Sequence, residues 1–293
     1  YYKVKKTVPN DVIAFDIISA IGQVKSKSIK EEPWPEKVYE KYGLHISSDQ
    51  PIAVYCVVRF KATSDGYLAM PVSALGNEYI VAAYDEDPIF YEIWKLFLPS
   101  TACIVAPYDD TKVTFELGGN PDTKTAGGMK PGETKTAILN EGDVWMFMGA
   151  GAGSDLSGSR ITSTKPVALI SGNQCTNIPL GNQWCDYTVE MQIPTDIWGK
   201  DYHVGQVSDR KYPSIVRVFA KENGTTIYRD GKEVSFIPKA GGMKDEAFVE
   251  MRISEMDDSN TMKSAVISGD KPVGVTLYNT GVEEDGYPMA DSD

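Results

Sequence analysis

Short apolar runs recur along the chain and are broken about every ten residues by Gly, Pro, Asn or Asp, the punctuation of strands joined by turns. Residues 52–60 form a continuous run rich in β-branched side chains, which predicts a buried strand. Residues 67–70 and 79–83 are shorter runs, with a turn or short helix between them at 71–76. Residues 166–170 are apolar, whereas Tyr187, Val189, Met191 and Ile193 alternate with other side chains up to Pro194. One strand therefore enters a loop near 171 and another leaves it after 185. At the start, KVKKTV, the Pro9-Asn10-Asp11 turn and VIAFDII predict a β-hairpin. Helical spacing is confined to 36–42 and 88–98. The pattern predicts an all-β protein built from tandem, related β-sandwich-like units.

Three places share one local pattern: ISSDQPIAV at 46–54, ITSTKPVAL at 161–169 and ISGDKPVGV at 267–275. In each, Pro51, Pro166 or Pro272 opens an apolar strand, a place where a missing N–H costs no ladder hydrogen bond. Pro71, Gly76 and Tyr79 return as Pro194, Gly199 and Tyr202, and residues 104–113 return as 218–227. The Pro9-Asn10-Asp11-Val12 turn parallels Glu141-Gly142-Asp143-Val144. This order predicts three units, 1–98, 99–211 and 212–293, the first short at its start and the last short at its end. No Ser/Gly/Pro-rich linker separates them, so they are expected to pack into one compact body. Two insertions lie outside the repeat: residues 25–42, a charged connection with Trp34 between Pro33 and Pro35, and residues 88–98.

Cys175 and Cys185 stand ten apart around Asn177, Pro179 and Gly181, a turn-rich spacing that predicts a disulfide in an oxidising compartment. Cys56 and Cys103 sit inside apolar runs and read as buried free thiols. No cysteine pair has zinc spacing, and only His45 and His203 could assist one.

The chain from Pro166 to Gly199 resembles the N-terminal domain of the IgGFc-binding protein family. There a Pro-Val-Ala-Val strand leads to Ser-Gly-Asn-x-Cys, then Cys-Asp, then Pro and Trp-Gly. The matching residues are Pro166, Val167, Ala168, Leu169, Ser171, Gly172, Asn173, Cys175, Cys185, Asp186, Pro194, Trp198 and Gly199. The likeness continues through 104–114, 158–161 and 217–227, and the insertions 25–42 and 88–98 depart from the family pattern. The resemblance implies an extracellular or cell-surface binding or adhesion module, of the kind found in secreted mucin-like proteins and bacterial surface proteins.

Composition narrows the partners. Twenty-nine basic against 41 acidic residues give a formal charge of −12, which repels phosphate backbones and anionic lipid, so nucleic acid is not expected as a partner. Neither an apolar run of about 18 residues nor a basic-then-apolar leader occurs, so no direct membrane span is expected. The start at Tyr1 without methionine reads as a mature or trimmed chain.

Several stretches carry candidate chemistry. The glycine-rich MGAGAGSDLSGS at 148–159 lacks the Gly-Lys-Ser/Thr ending of a phosphate loop and reads as a mobile connection. Asp109-Asp110 with Thr111, and Asp155, could offer oxygens to calcium, but without an EF-hand's alternating carboxylates they read as solvated turns, and no cofactor is expected. Neither histidine lies in a nucleophile motif, and 41 acidic residues supply carboxylate pairs by chance alone, so no pair is singled out for glycoside hydrolysis. Trp198 reads as a packing residue because Leu75 holds the corresponding place, and Asp186 as the cap of a turn or a partner of the cysteine loop. The aromatics of the insertions, Trp34, Phe90, Tyr91, Trp94 and Phe97, need not serve the repeat's core and are the candidate contact residues. The expected function is non-catalytic binding of a protein or glycan at a cell or mucosal surface. The alternatives are a carbohydrate-binding or carbohydrate-active protein with an aromatic and carboxylate-lined cleft, and a structural component of a surface assembly.

Overall fold

A computed structural model describes residues 2–17, 30–59, 63–182, 184–207, 210, 212–242, 247–253 and 264–285. The described strands are β1 (Lys37–Tyr39), β2 (Val54–Arg59), β3 (Ser64–Ala69), β4 (Gly76–Ile80), β5 (Ser100–Val105), β6 (Thr111–Glu116), β7 (Thr134–Leu139), β8 (Val144–Met148) and β9 (Arg160–Thr176). They continue with β10 (Asp186–Met191), β11 (Asp201–Val204), β12 (Ile215–Ala220), β13 (Thr225–Arg229), β14 (Lys232–Ile237), β15 (Phe248–Arg252), β16 (Ala265–Gly269) and β17 (Val273–Tyr278). The protein is all-β. None of its described helices is long and apolar enough to cross a membrane.

Two sandwiches account for most of the strands. In the first, β9 belongs to both layers: its beginning pairs with β4 and β6, its end with β5 and β10, and β8, β1 and β7 extend the edges. Pro166 lies between Ser163, the last residue on β6, and Ala168, the first on β5, so the strand changes partners where it has no N–H to give. Tyr79, Ile104, Phe115, Phe147, Ile161 and Leu169 fill the space between the layers, with the Phe115 and Phe147 rings stacked 3.7 Å apart. In the second sandwich, β15-β12-β17 faces β11-β16-β13-β14 over Val216, Val218, Ile227, Ile267 and Val273.

The two sandwiches repeat each other residue for residue. Tyr79 stands opposite Ile161 as Tyr202 stands opposite Ile267, Val113 opposite Ser163 as Ile227 opposite Gly269, and Val105 opposite Ala168 as Phe219 opposite Gly274. Each contains the same tyrosine corner. The Tyr79 hydroxyl accepts from Gly76 N–H (2.9 Å) and donates to the Val167 carbonyl (2.6 Å); the Tyr202 hydroxyl accepts from Gly199 N–H (2.9 Å) and donates to the Val273 carbonyl (2.8 Å). The β2–β3 hairpin follows the same register as the end of β9 with β10, Tyr55 opposite Leu68 as Ile170 opposite Met191. The boundaries expected at 98/99 and 211/212 cut across these pairings. β4 lies before the first yet pairs with β9, and β11 lies before the second yet pairs with β16. The strand that carries the tyrosine belongs to the sandwich downstream of it.

Four local expectations change. Residues 36–42 carry β1 rather than a helical turn, because Val38 packs on the first core while Tyr39 packs with Val144 and Met146, a two-sided burial that only a strand allows. β2 is half exposed, with Tyr55 at 72% and Val57 at 73%, instead of buried throughout. Residues 2–17 keep the turn at Asn10 (φ 63°) and cross their arms through lysines, Lys5 Nζ reaching the Ala14 carbonyl, but form no ladder. The glycine-rich loop is packed: Ser154, Asp155, Leu156 and Ser157 are buried. A Cβ on Gly149 would stand 2.3 Å from the Ser154 carbonyl, so glycine serves close approach there. Residues 25–29 of the first insertion, residue 18 of the predicted hairpin and residue 60 of the 52–60 run lie outside the described residues.

The sandwiches meet across a polar centre. Arg217, 3% exposed, donates to Asp155 Oδ2 (2.6 Å), Glu250 Oε2 (2.8 Å), Ser157 Oγ (2.8 Å) and the Ala83 carbonyl (2.8 Å), and its guanidinium lies 4.1 Å from the Tyr84 ring centroid. Ile80, Ala82, Phe219 and Phe248 on one side, and Tyr84, Ile178, Ile215 and Tyr278 on the other, are the apolar clusters bridging the two sandwiches.

Candidate functional site

The cysteine loop is held from three directions. β9 delivers Asn173 into the interior, where its Oδ1 accepts from Cys175 N–H (2.9 Å) and its Nδ2 reaches the Asp85 carbonyl (3.4 Å). Gly172 leaves room for the returning strand, since a Cβ there would stand 1.9 Å from the Thr188 carbonyl. Cys175 and Cys185 are bridged, with Cα atoms 5.0 Å apart. From the C-terminal side, Gly281 N–H donates to the Ile178 carbonyl (2.7 Å).

The third support is Asp87, and it joins the cysteine loop to the second insertion. Its Oδ2 accepts from Gly181 N–H (2.7 Å), its Oδ1 from Ile89 N–H (3.0 Å), and its carbonyl from Phe90 N–H (3.2 Å). Ile89 caps a single helical turn, Phe90–Trp94, that stops at Lys95 in the left-handed region (φ 54°). Leu98 N–H then returns to Glu86 Oε1 (2.6 Å), closing a knuckle over residues 86–98. A stretch so tied cannot turn its apolar side chains inward all at once. Trp94 is 65% exposed, Ile93 63% and Trp184 of the cysteine loop 44%, and Tyr91, Ile89 and Leu180 are exposed beside them in sequence.

Of the predicted contact residues, the structure places Tyr91 and Trp94 outward on this knuckle. Phe97 is half buried with its ring 5.0 Å from Tyr91, and Phe90 is half buried. Trp34 does not join them: it is partly buried against the cluster formed by Tyr39, Val144, Met146 and Met148. Trp198 covers Gly274, where a Cβ would stand 2.6 Å from its ring, and donates from Nε1 to the Ile193 carbonyl (3.2 Å). Pro194 starts the short turn Thr195–Ile197 ahead of it. Asp186 turns away from the cysteine loop and accepts from Thr63 Oγ1 (2.6 Å) and Ser64 N–H (3.2 Å) at the β2–β3 hairpin.

Electrostatics concentrate at the seam, not at the knuckle. Burial, and then the neighbouring Asp155, push the Asp85 carboxyl up to about 6, although it accepts from Glu86 N–H (2.8 Å) and Gly153 N–H (2.9 Å). Burial opposes the charge on Arg217, but Asp155, Tyr278, Glu250 and Tyr84 together outweigh it and hold the guanidinium more firmly protonated than usual. Burial pushes the Cys103 thiol up to about 12, so it stays protonated and unreactive; Cys56 and Cys103 are both unbridged and half buried. Asp155, one candidate calcium ligand, is spent on Arg217 and Ser157, and Asp109 Oδ1 accepts from Glu141 N–H (3.0 Å). Among the described residues no group of three or more His, Cys, Asp or Glu could hold a metal ion.

Two concavities open on the surface of the described residues. One of about 620 Å3 is lined by Val38, Lys41, Asp109, Asp110, Ile138 and Asn140 among others and has no aromatic wall. Another, of about 450 Å3, joins Trp34 to Glu36, but the Glu36 carboxylate is turned into Thr125 and Lys135. Sequence reasoning missed Arg217, Asp87 and Trp184. For Arg217 a signal existed, a lone charge inside IVRVFA.

Comparison with known proteins agrees with the motif. The family model described as IgGFc binding protein matches residues 65–292. The IgGFc-binding protein of Homo sapiens is 26% identical over 211 residues, which covers 70% of this chain and 4% of that protein. The chain therefore spans a small fraction of the relative it matches. No solved structure matches.

Proposed function

The chain belongs to the IgGFc-binding protein family, and from that premise we propose that it is an extracellular, non-catalytic module that binds a protein through the cysteine loop and the 86–98 knuckle. The observation that carries this reading is the junction at Asp87, which fixes two loops together while Trp94, Ile93 and Trp184 face solvent. Aromatic side chains on a rigid support lose little freedom on contact and supply most of the energy of typical protein interfaces. The disulfide supports an oxidising, extracellular setting, because such bridges do not persist in reducing cytosol. A glycan cleft is less well supported, since in the concavity beside Trp34 the Glu36 carboxylate is already engaged by Lys135 and Thr125.

The Fc fragment of immunoglobulin G, named for the human relative, is the first probe. Titration onto the immobilised chain should give saturable binding, and Trp94→Ala with Trp184→Ala should weaken it by roughly 2 kcal/mol or more without changing the melting temperature. If binding survives the double replacement intact, the contact surface lies elsewhere. If glycans on an array bind and Fc and other mucosal proteins do not, the protein-binding reading fails.

A further inference from the structure

Among the described residues, one strand position that the repeat fills beside its other copies of β2 holds no strand. In the first sandwich β5 lies between β8 and the end of β9, and in the second β12 lies between β15 and β17, each pairing on both sides. β2 occupies the place of the end of β9 and of β17, yet among the described residues it pairs with β3 alone. Residues 12–17 follow the turn that matches Gly142-Asp143, the turn leading into β8; they are apolar apart from Asp16, largely exposed and in no strand ladder. Among the described residues, therefore, no strand of the β5 and β12 type lies beside β2.

We propose that this edge is a docking site for an extended strand from another module of the same repeat, added antiparallel to β2. The register follows from the two filled copies. The residue equivalent to Val105 and Phe219 falls opposite Ala53, and that equivalent to Ala102 and Val216 opposite Cys56. The directions of the β2 groups follow as well. Leu169, the counterpart of Val54, turns its carbonyl to Gln192 N–H on the β10 side (2.8 Å), whereas the carbonyl of Gly172, the counterpart of Val57, faces Thr101 Oγ1 of β5 (3.1 Å). Tyr55 and Val57 thus point their N–H and C=O groups at the open edge. Strand addition of this kind draws its affinity from the main chain and its selectivity from alternate side chains. The occupant's chemistry is that of the sequences already in this place, STACIV and IVRVFA: six residues with apolar side chains facing the interior. Tyr55 and Val57 are 72% and 73% exposed on this edge, where only Arg59 at the strand's end carries charge, and an edge this apolar is one that proteins normally keep covered.

The test uses the full chain and a labelled peptide of residues 213–222, which contains the β12 sequence. Fluorescence anisotropy should show saturable binding that a scrambled peptide lacks, and the Tyr55 and Val57 amides should gain protection from hydrogen exchange. Val57→Pro removes an edge N–H while sparing the β3 ladder, so it should weaken the peptide at least about tenfold with the melting temperature unchanged. Should Val57→Pro fail to fold, Val57→Lys supplies the same comparison by charging the edge. Equal binding of the scrambled peptide, equal binding by either variant, or Tyr55 and Val57 amides already protected in the free chain would overturn the proposal.

Discussion

Replacing Arg217 by methionine should unhinge the two sandwiches. Methionine keeps the length and the apolar stem but removes four hydrogen bonds and, among the described residues, the only cation paired with Asp155, in a seam where both side chains are almost fully buried. The Ala83 carbonyl keeps Tyr278 Oη and Ser157 Oγ, so it does not become an orphan. Asp155 keeps only Ser157 N–H and still faces Asp85. Leaving one partner of a buried ion pair uncompensated costs about 3 to 5 kcal/mol, more than the surface pair Lys221–Asp196, whose loss should cost under about 1 kcal/mol. Arg217→Lys keeps the charge without the fork that reaches four acceptors at once, and should fall between. Guanidinium denaturation followed by tryptophan fluorescence at neutral pH measures all three, and Asp155→Asn in the methionine background should recover part of the loss. An Arg217→Met variant within about 1 kcal/mol of the parent, or a double-mutant cycle without coupling, would refute the assignment of Arg217 as the electrostatic joint.

Tyr79→Phe strands Gly76 N–H and the Val167 carbonyl in the first core and should cost about 2 to 4 kcal/mol; Tyr202→Phe, at the less buried corner, should cost less, and urea midpoints at constant slope measure the order. Asp85 titrates at about 6 in the fold against an ordinary 3.8, so the stability it contributes is full below about pH 4 and is lost as pH rises through 6. Asp85→Asn keeps an Oδ1 acceptor for Glu86 and Gly153 N–H, so it should raise stability at pH 7.5 by roughly 1 to 3 kcal/mol and flatten the pH profile between 4 and 7; an unchanged profile in thermal melts would assign that slope to another group.

The repeat was legible because its anchors are residues chosen for backbone reasons. A proline that opens a strand, a glycine that offers its N–H to a tyrosine, and that tyrosine's reach to the next strand keep their spacing in both copies. The cysteine loop was legible for the same reason, since Asn177, Pro179 and Gly181 mark its turns. What sequence could not supply was tertiary context. β1 is three residues long and owes its conformation to β8, so its charged surroundings resembled a helix face. β2 looks buried because its residues are those of an interior strand, and it is half exposed because among the described residues it pairs with β3 alone. Glycines at 148–159 suggested mobility, although the loop packs tightly at the seam. Trp34 and Trp94 were equivalent as insertion aromatics, and only the fold separates the one on Met146 from the one in solvent.

The central claim, that the loops joined at Asp87 form the contact surface, is tested most directly by hydrogen exchange of the full chain with and without bound Fc fragment. The account predicts new protection confined to residues 88–98 and 176–184, with the β7 and β14 edges unchanged. Protection at those edges, with 88–98 and 176–184 exchanging as in the free chain, would contradict it.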